Sequence, residues 1–368
     1  MTFAIPAWVQ MRARTTCATI EGRINALGGR PVSISAWEII SGRAALLGLA
    51  PPSRVSSGGA TRLLAAADGW CALTLSRKVD VEAIPALLEH DVPDDPWAAV
   101  ADAARIRTAA EFVARARLLD MPAAVLGEMG VREPVIAYQG TPARRLIPDL
   151  LVVDLSSMWA GPLCARLLAA AGATVVKVET PARPDGTRAG NRDFFDWLNG
   201  EKLCYSIDFD SQDLTGLLRA ADVVIEGSRP AALARRGLAA EQAPGRPGRV
   251  WVRVSGYGPE HPDRVAFGDD AAVAGGLVMP GPEFCGDAVA DPLTGLAAAD
   301  AVLDALTSGG GAVIDVAMAG IAAGYARLPT GEVQREAPRA PRVREPAHEV
   351  GADNTRVSEL VEARLASC

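Results

Sequence analysis

Residues 150–179 read LLVVDLSSMWAGPLCARLLAAAGATVVKVE, and their pattern decides the fold. LLVVDLS is a continuous aliphatic run of strand length, GPLCARLLAAAGA carries apolar residues at helical spacing, and TVVKVE is a second β-branched run. The alternation continues downstream, with LTGLLRAA predicting a helix and DVVIEG and RVWVRVSG predicting two more strands. Continuous apolar strands joined by helices argue for a parallel sheet covered on both faces, a Rossmann-like α/β domain.

Working outward, residues 32–50 (VSISAWEIISGRAALLGLA) and 312–328 (AVIDVAMAGIAAGYARL) both read as a strand running into an apolar helix. Between 60 and 130 the pattern is different. ATRLLAAADGWCALTL predicts a hairpin turning at Asp68-Gly69, and VEAIPALLEH and TAAEFVARARLLDM predict helices, which together make a smaller α+β domain. The expected organisation is therefore a strand and helix element of the large domain at 1–52 and the small domain, placed N-terminally, at 53–131. A proline-punctuated linker follows at 132–149, then the Rossmann-like domain at 150–328 and an extended, loosely attached tail with a short helix at 329–368.

Hydrophobic residues make up 49% and charged residues 22% of the 368, the balance of a globular chain with room for two cores. A net charge of −7 gives no general basic surface, so nucleic acid is not expected as a partner, although a local basic patch can still hold a phosphate. No stretch approaches the roughly 18 to 20 apolar residues of a membrane span, and the N-terminus lacks a signal-peptide pattern; the reading is cytoplasmic. Six cysteines lie far apart without a CxxC pair, and there are three histidines, so neither a disulfide framework nor a metal site is indicated.

Three places carry candidate chemistry. The strand-to-helix turn Ser156-Ser157-Met158-Trp159-Ala160-Gly161-Pro162 offers free backbone N–H groups for a phosphate or a polarised carbonyl, or is simply a tight turn. Arg229 and Arg235-Arg236 follow the strand DVVIEG, near the carboxyl ends of the sheet, and either clamp a phosphate or line a solvated helix face. Asp269-Asp270 and Asp291 each precede an apolar segment that looks like a helix start. There an aspartate is an N-cap, or an ionised carboxylate able to attack a thioester.

The runs VVDLSSMWAGPLCARLLAAAGATVVKVETP, FDWLNGEKLCYSIDF, DVVIEGSRPAALARRGL, VRVSGYGPEHP and VADPLTGLAAADAVLDAL together resemble, in order and spacing, the large domain of family III CoA-transferases. ADGWCALTL, the Asp94-Asp95-Pro96 stretch and RTAAEFVARARLLDMPAAVL resemble that family's small domain, which normally comes after the large one, so the resemblance implies a permuted order. It further implies a homodimer, acyl-CoA and carboxylic acid substrates, and coenzyme A as a substrate with no covalently bound cofactor and no metal. By residue it places the nucleophile at Asp291, the acyl-site lining at Trp159, oxyanion support at the N–H groups near Trp159 and Gly161, and CoA contacts at Lys202, Arg229, Arg235 and Met158. Asp210 and Thr180 stand where some members have a basic residue. Gly58 and Gly59 fall near a glycine-rich loop that covers the acyl site in some transferases. The related racemases need a histidine before the aspartate of AFGDDAAV; Gly268 stands there, which ranks racemisation below transfer. A non-catalytic CoA-binding member is the remaining alternative.

Overall fold

The computed structural model describes residues 1–91, 95–208, 211–227, 233–243, 245–327 and 332–366. Strand β1 (Phe3–Pro6) leads into helix Ala7–Ala26, and helix Ala36–Leu47 follows after a break. The expected strand at the start of residues 32–50 is absent. Ser35 is the N-cap instead, its side chain accepting from Glu38 N–H, and Gly48 ends the helix in the left-handed region, at φ 63°.

The small domain pairs β2 (Thr61–Ala65) with β3 (Trp70–Thr74) around the Asp68-Gly69 turn, and β4 (Ala123–Val125) joins β3. Helices Pro96–Arg105 and Ala109–Leu118 cover the sheet, burying Leu73, Val100, Phe112 and Val113 in a separate core. Thr108 and Glu111 form a reciprocal capping box that starts the second helix.

In the large domain β5 (Val135–Tyr138), β6 (Leu151–Asp154), β7 (Thr174–Glu179), β8 (Leu203–Ser206), β9 (Val223–Glu226), β10 (Val250–Ser255) and β13 (Ala312–Ala317) form one sheet in the order β5-β13-β10-β9-β6-β7-β8, while the short strands β11 (Val278–Met279) and β12 (Glu283–Phe284) pair with each other as a separate sheet. All pairs are parallel except β5 with β13. Every residue of β6 and β9 is buried, as expected for strands covered by helices on both faces. The chain winds one way from β6 to β8 and the other way from β9 to β13. The crevice outside the carboxyl ends of β6 and β9 is therefore the switch point where open α/β sheets bind ligands.

Two expectations need correction. The stretch 132–149, read as a linker, contributes β5 to the sheet edge; its ladder with β13 satisfies backbone groups that an isolated linker would leave to water. The tail is not loose. Its strand Val333–Glu336 pairs with β1, Ala347 N–H donates to Asp196 at 2.9 Å, and Cys204 N–H donates to Asp353 at 2.7 Å. Its final helix Asn354–Ala366 places Val357 in the core between β8 and helix Gln212–Ala220. The N-terminal helices share one core with helices Ala160–Ala170 and Ala290–Thr307 through Ile20, Ile40, Leu163 and Leu296. Among the described residues no helix is long and apolar enough to cross a membrane.

Candidate active site

Asp291 stands in the first turn of helix Ala290–Thr307, yet it does not cap that helix. Its carboxylate reaches sideways and accepts a hydrogen bond from the backbone N–H of Gly268, at the start of helix Gly268–Ala274. The approach is so close that a Cβ built on Gly268 would collide with Asp291 Oδ2 and with the Ala288 carbonyl. Glycine is required there by space, since a side chain would push the carboxylate away. The preceding Ala288 has φ 43°, an uncommon conformation for a residue with a side chain, and its N–H donates to Asp269 Oδ1 at 3.1 Å. A strained turn and a neighbouring helix start thus bring Asp269 and Asp291 to one place.

Asp287 joins them. It is buried, and its Oδ1 pairs with Arg43 Nη1 at 2.6 Å, while Oδ2 has no hydrogen-bond partner among the described residues. Burial is the main reason the Asp291 carboxyl is pushed up to about 7; Asp269 and Asp287 add to it, and Arg43 and the Gly268 N–H oppose it. Asp269 rises to about 6, again chiefly through burial, with Asp287 adding and Arg43 opposing. The glycine loop expected over the acyl site lies beside this cluster. A Cβ on Gly58 would stand 3.3 Å from Arg43 Nη2, and the Ser56 hydroxyl donates to Asp269. Asp270, by contrast, is a cap, accepting from Phe267 N–H at 2.9 Å.

The turn after β6 is built on buried ion pairs. Lys202 Nζ donates to Asp154 Oδ2 at 2.8 Å, to the Pro162 carbonyl at 3.0 Å and to Asn199 Oδ1 at 2.9 Å. Lys177 Nζ donates to Asp185 Oδ2 at 2.8 Å and to the Ser156 carbonyl. The Lys202 side chain is 0% exposed, so its charge is spent inside the protein, and the CoA contact expected of it is not available in this arrangement. Met158 has φ 74° and a half-exposed side chain, and its N–H points inward to Asp185. Trp159 is buried edge-on against Phe194, ring centroids 5.4 Å apart, and the Arg43 guanidinium lies 5.9 Å from its ring. Gly161 is another glycine demanded by space, because a Cβ there would strike the Ser156 side chain. Its N–H and that of Ala160 belong to the first turn of helix Ala160–Ala170, where no preceding carbonyl of the helix accepts them.

Arg235 is exposed in the turn beyond β9. Arg229 and Asp210 lie outside the described residues. Thr180 uses its hydroxyl locally, accepting from Arg183 N–H at 3.0 Å. The structure thus gathers Asp291, Asp269, Gly268 and the Gly58 loop, with Trp159 linked to them through Arg43. It sets Lys202 apart. Arg43 and Asp287 were missed by sequence reasoning, which had no signal for them: an arginine in ISGRAALL and an aspartate in FCGDAV are each ordinary, and their pairing spans 244 residues.

The profile of CoA-transferase family III matches residues 147–350, more than half of the chain. A succinyl-CoA–D-citramalate CoA-transferase of Chloroflexus aurantiacus is 33% identical over 196 residues, 47% of this chain and 49% of its own length. A succinate–glutarate CoA-transferase of Agrobacterium fabrum is 32% identical over 202 residues, 47% of this chain and 50% of its own. A CaiB/BaiF family protein from Brucella suis aligns over 50% of this chain and 55% of its own at 28% identity, with a TM-score of 0.45. The chain spans about half the length of the curated relatives it matches. On the extent of the profile match, it belongs to CoA-transferase family III.

Proposed function

We propose that the chain moves CoA between an acyl-CoA thioester and a carboxylic acid, with Asp291 as the nucleophile. The observation that carries this reading is the Asp291 carboxylate itself: it caps nothing, is met by one backbone N–H, and is pushed up to about 7, chiefly by desolvation, beside a second carboxylate and one guanidinium. A partly buried carboxylate with few hydrogen bonds is a stronger nucleophile than a fully solvated one.

In the first step an Asp291 carboxylate oxygen attacks the thioester carbonyl, the C–S bond breaks, and CoA leaves as thiolate from a mixed anhydride. The thiolate then attacks the aspartyl carbonyl, releasing the donor acid and leaving an aspartyl-CoA thioester. The acceptor carboxylate attacks that thioester, expelling thiolate and forming a second anhydride. Thiolate attack on its acyl carbonyl releases the new acyl-CoA and restores Asp291. Each tetrahedral step places negative charge on a carbonyl oxygen. The N–H groups of the turn at Trp159 and Gly161 are the proposed donors to it. CoA itself is proposed to lie at the switch point between β6 and β9, with Met158 at its edge and Arg235 toward its phosphates; Arg229, outside the described residues, is proposed as a CoA contact from the sequence resemblance alone.

The experiment is incubation with a panel of acyl-CoA thioesters followed by hydroxylamine. A hydroxamate at Asp291, located by mass spectrometry, supports the anhydride and thioester route. No adduct with any thioester, while CoA still binds, refutes it and leaves a CoA-binding member. A second reading, proton exchange at the acyl α-carbon, is favoured by one observation: Asp269 is a second carboxyl, lifted to about 6, in the same cluster. The packing of Gly268 against Asp291 leaves no room for a histidine, so any second base would be Asp269. Deuterium incorporation from deuterated water at that carbon, with no CoA transfer, would select it.

A further inference from the structure

The carboxylate cluster contains one group that neither the motifs nor the proposed chemistry uses. Arg43 comes from helix Ala36–Leu47, far in sequence from the large-domain motifs, and its guanidinium pairs with Asp287 inside the cluster, where Asp287, Asp269 and Asp291 all respond to its charge. Its Nη1 is held by Asp287 at 2.6 Å, its Cζ lies 5.9 Å from the centroid of the Trp159 ring and 5.8 Å from that of Phe194, and its Nη2 faces Gly58. An ion pair, two aromatic faces and a glycine without a side chain leave the head group little freedom.

We propose that Arg43 is a positioning residue for Asp291: fixed by Asp287 and the Trp159 and Phe194 rings, it supplies the positive charge that favours the ionised form of the nucleophile and keeps it aimed. This deepens the transferase reading and rests on it. Asp287 acts as the clamp: among the described residues its second oxygen has no partner and its buried charge is answered by Arg43 alone. The cost of burying an unanswered carboxylate keeps the arginine in place.

The groups facing Asp291 come from three elements: Arg43 from helix Ala36–Leu47, Asp269 and the Gly268 N–H from helix Gly268–Ala274, and Asp287 from the turn before the helix of Asp291. Arg43 is the cation among them. It favours the charged form of Asp291, so its loss raises the pH at which the carboxyl ionises, and the rate that depends on the carboxylate appears only at higher pH. The same charge also favours departure of Asp291 as a carboxylate when the anhydride is resolved.

The test compares wild type, Arg43→Gln and Arg43→Lys in two measurements. The first is the pH dependence of hydroxylamine-trapped adduct formation. The second is the titration of the Asp291 carboxyl carbon by NMR of aspartate-labelled protein, assigned with Asp291→Asn. The expected result is an acidic limb moved up by about 1 on the pH scale in Arg43→Gln, with about tenfold slower trapping below the limb. Arg43→Lys, which keeps the charge without the fork, should fall between. A uniform loss of rate with an unmoved limb and an unmoved carboxyl titration makes Arg43 merely structural and overturns the proposal. If the carboxyl titration moves as expected but no variant, wild type included, forms an adduct, the positioning role holds and the transferase reading fails. If Arg43→Gln does not fold, the Arg43→Lys profile decides: one identical to wild type in limb and rate shows that charge alone suffices and removes the aiming role.

Discussion

Two groups of charges lie within the large domain, and they are built on opposite plans. Under the turn after β6, Asp154 and Asp185 face Lys202 and Lys177, and each head group is met by several partners: Asp185 alone accepts from Lys177, Met158 N–H, Thr187 N–H and the Thr187 hydroxyl. Burial would raise both carboxyls, but the lysines outweigh it and hold them below their ordinary values. At Asp291, three carboxylates share one guanidinium, an oxygen of Asp287 goes unpartnered among the described residues, and burial wins, lifting Asp269 to about 6 and Asp291 to about 7. Balanced charge in a dry interior makes a rigid scaffold. Unbalanced charge in the partly buried cluster at Asp291 costs stability, and strongly perturbed carboxyls of this kind gather at functional sites.

The comparison can be broken most severely at the nucleophile. Asp291→Ala should lower transfer by on the order of 10³-fold or more while leaving the fold intact, read as loss of the trapped adduct with an unchanged circular dichroism spectrum. Residual transfer near the wild-type rate would move the chemistry elsewhere in the cluster. The matching break in the scaffold is Lys202→Met, which leaves Asp154 buried and unpaired. It should cost about 3–5 kcal/mol of stability by denaturant unfolding. The double variant Lys202→Met with Asp154→Leu should recover much of that, since removing both charges removes the unpaired one. A small loss for Lys202→Met alone would mean that the interior pair is dispensable and its lysine free for a ligand.

Gly268→Ala tests the packing between the two helix starts. Its added carbon must displace the Asp291 carboxylate, so transfer should fall by roughly 10², while unfolding shifts by about 1–3 kcal/mol, the usual cost of overpacking. Equal rates in variant and wild type would show that the carboxylate has room to retreat without consequence.

The two regions should also answer pH with opposite signs. Asp291 binds its proton more tightly folded than unfolded, so its contribution to stability falls as pH rises from the ordinary carboxyl range toward about 7. Asp154 and Asp185 bind theirs less tightly folded, so their contribution is present above the ordinary carboxyl range and is lost as pH drops through their depressed values. Asp291→Asn should therefore raise the melting temperature at pH 8 by about 2–4 °C and bring little gain near pH 4. A gain of the same size at both pH values would mean that the carboxyl is not held near neutrality by its surroundings.

Much of the frame was legible because it rests on local periodicity. The strands at 150–179, 223–226 and 250–255 and the hairpin at Asp68-Gly69 form where continuous or alternating apolar residues and a turn pair call for them. The edge strand β5 and the strand at Val333–Glu336 were hidden because short, half-exposed, proline-flanked segments acquire their ladders only from a partner, β13 and β1. Within the site, Asp291 was reachable through the linked motifs, whereas Lys202 was misread because a lysine beside a glycine turn looks the same whether it faces solvent or the interior.

The sequence by itself determined the parallel α/β frame, the separate small domain and the aspartate at the start of the helix at Ala290–Thr307, since each depends on residues close together in the chain. Only the tertiary structure decided that this aspartate caps nothing, that Gly268 makes room for it, and that Arg43 and Asp287 meet beside it across 244 residues. Periodicity is a property of neighbours along the chain. The ionisation of a carboxylate is set by what lies within a few ångströms in space, and only folding specifies that.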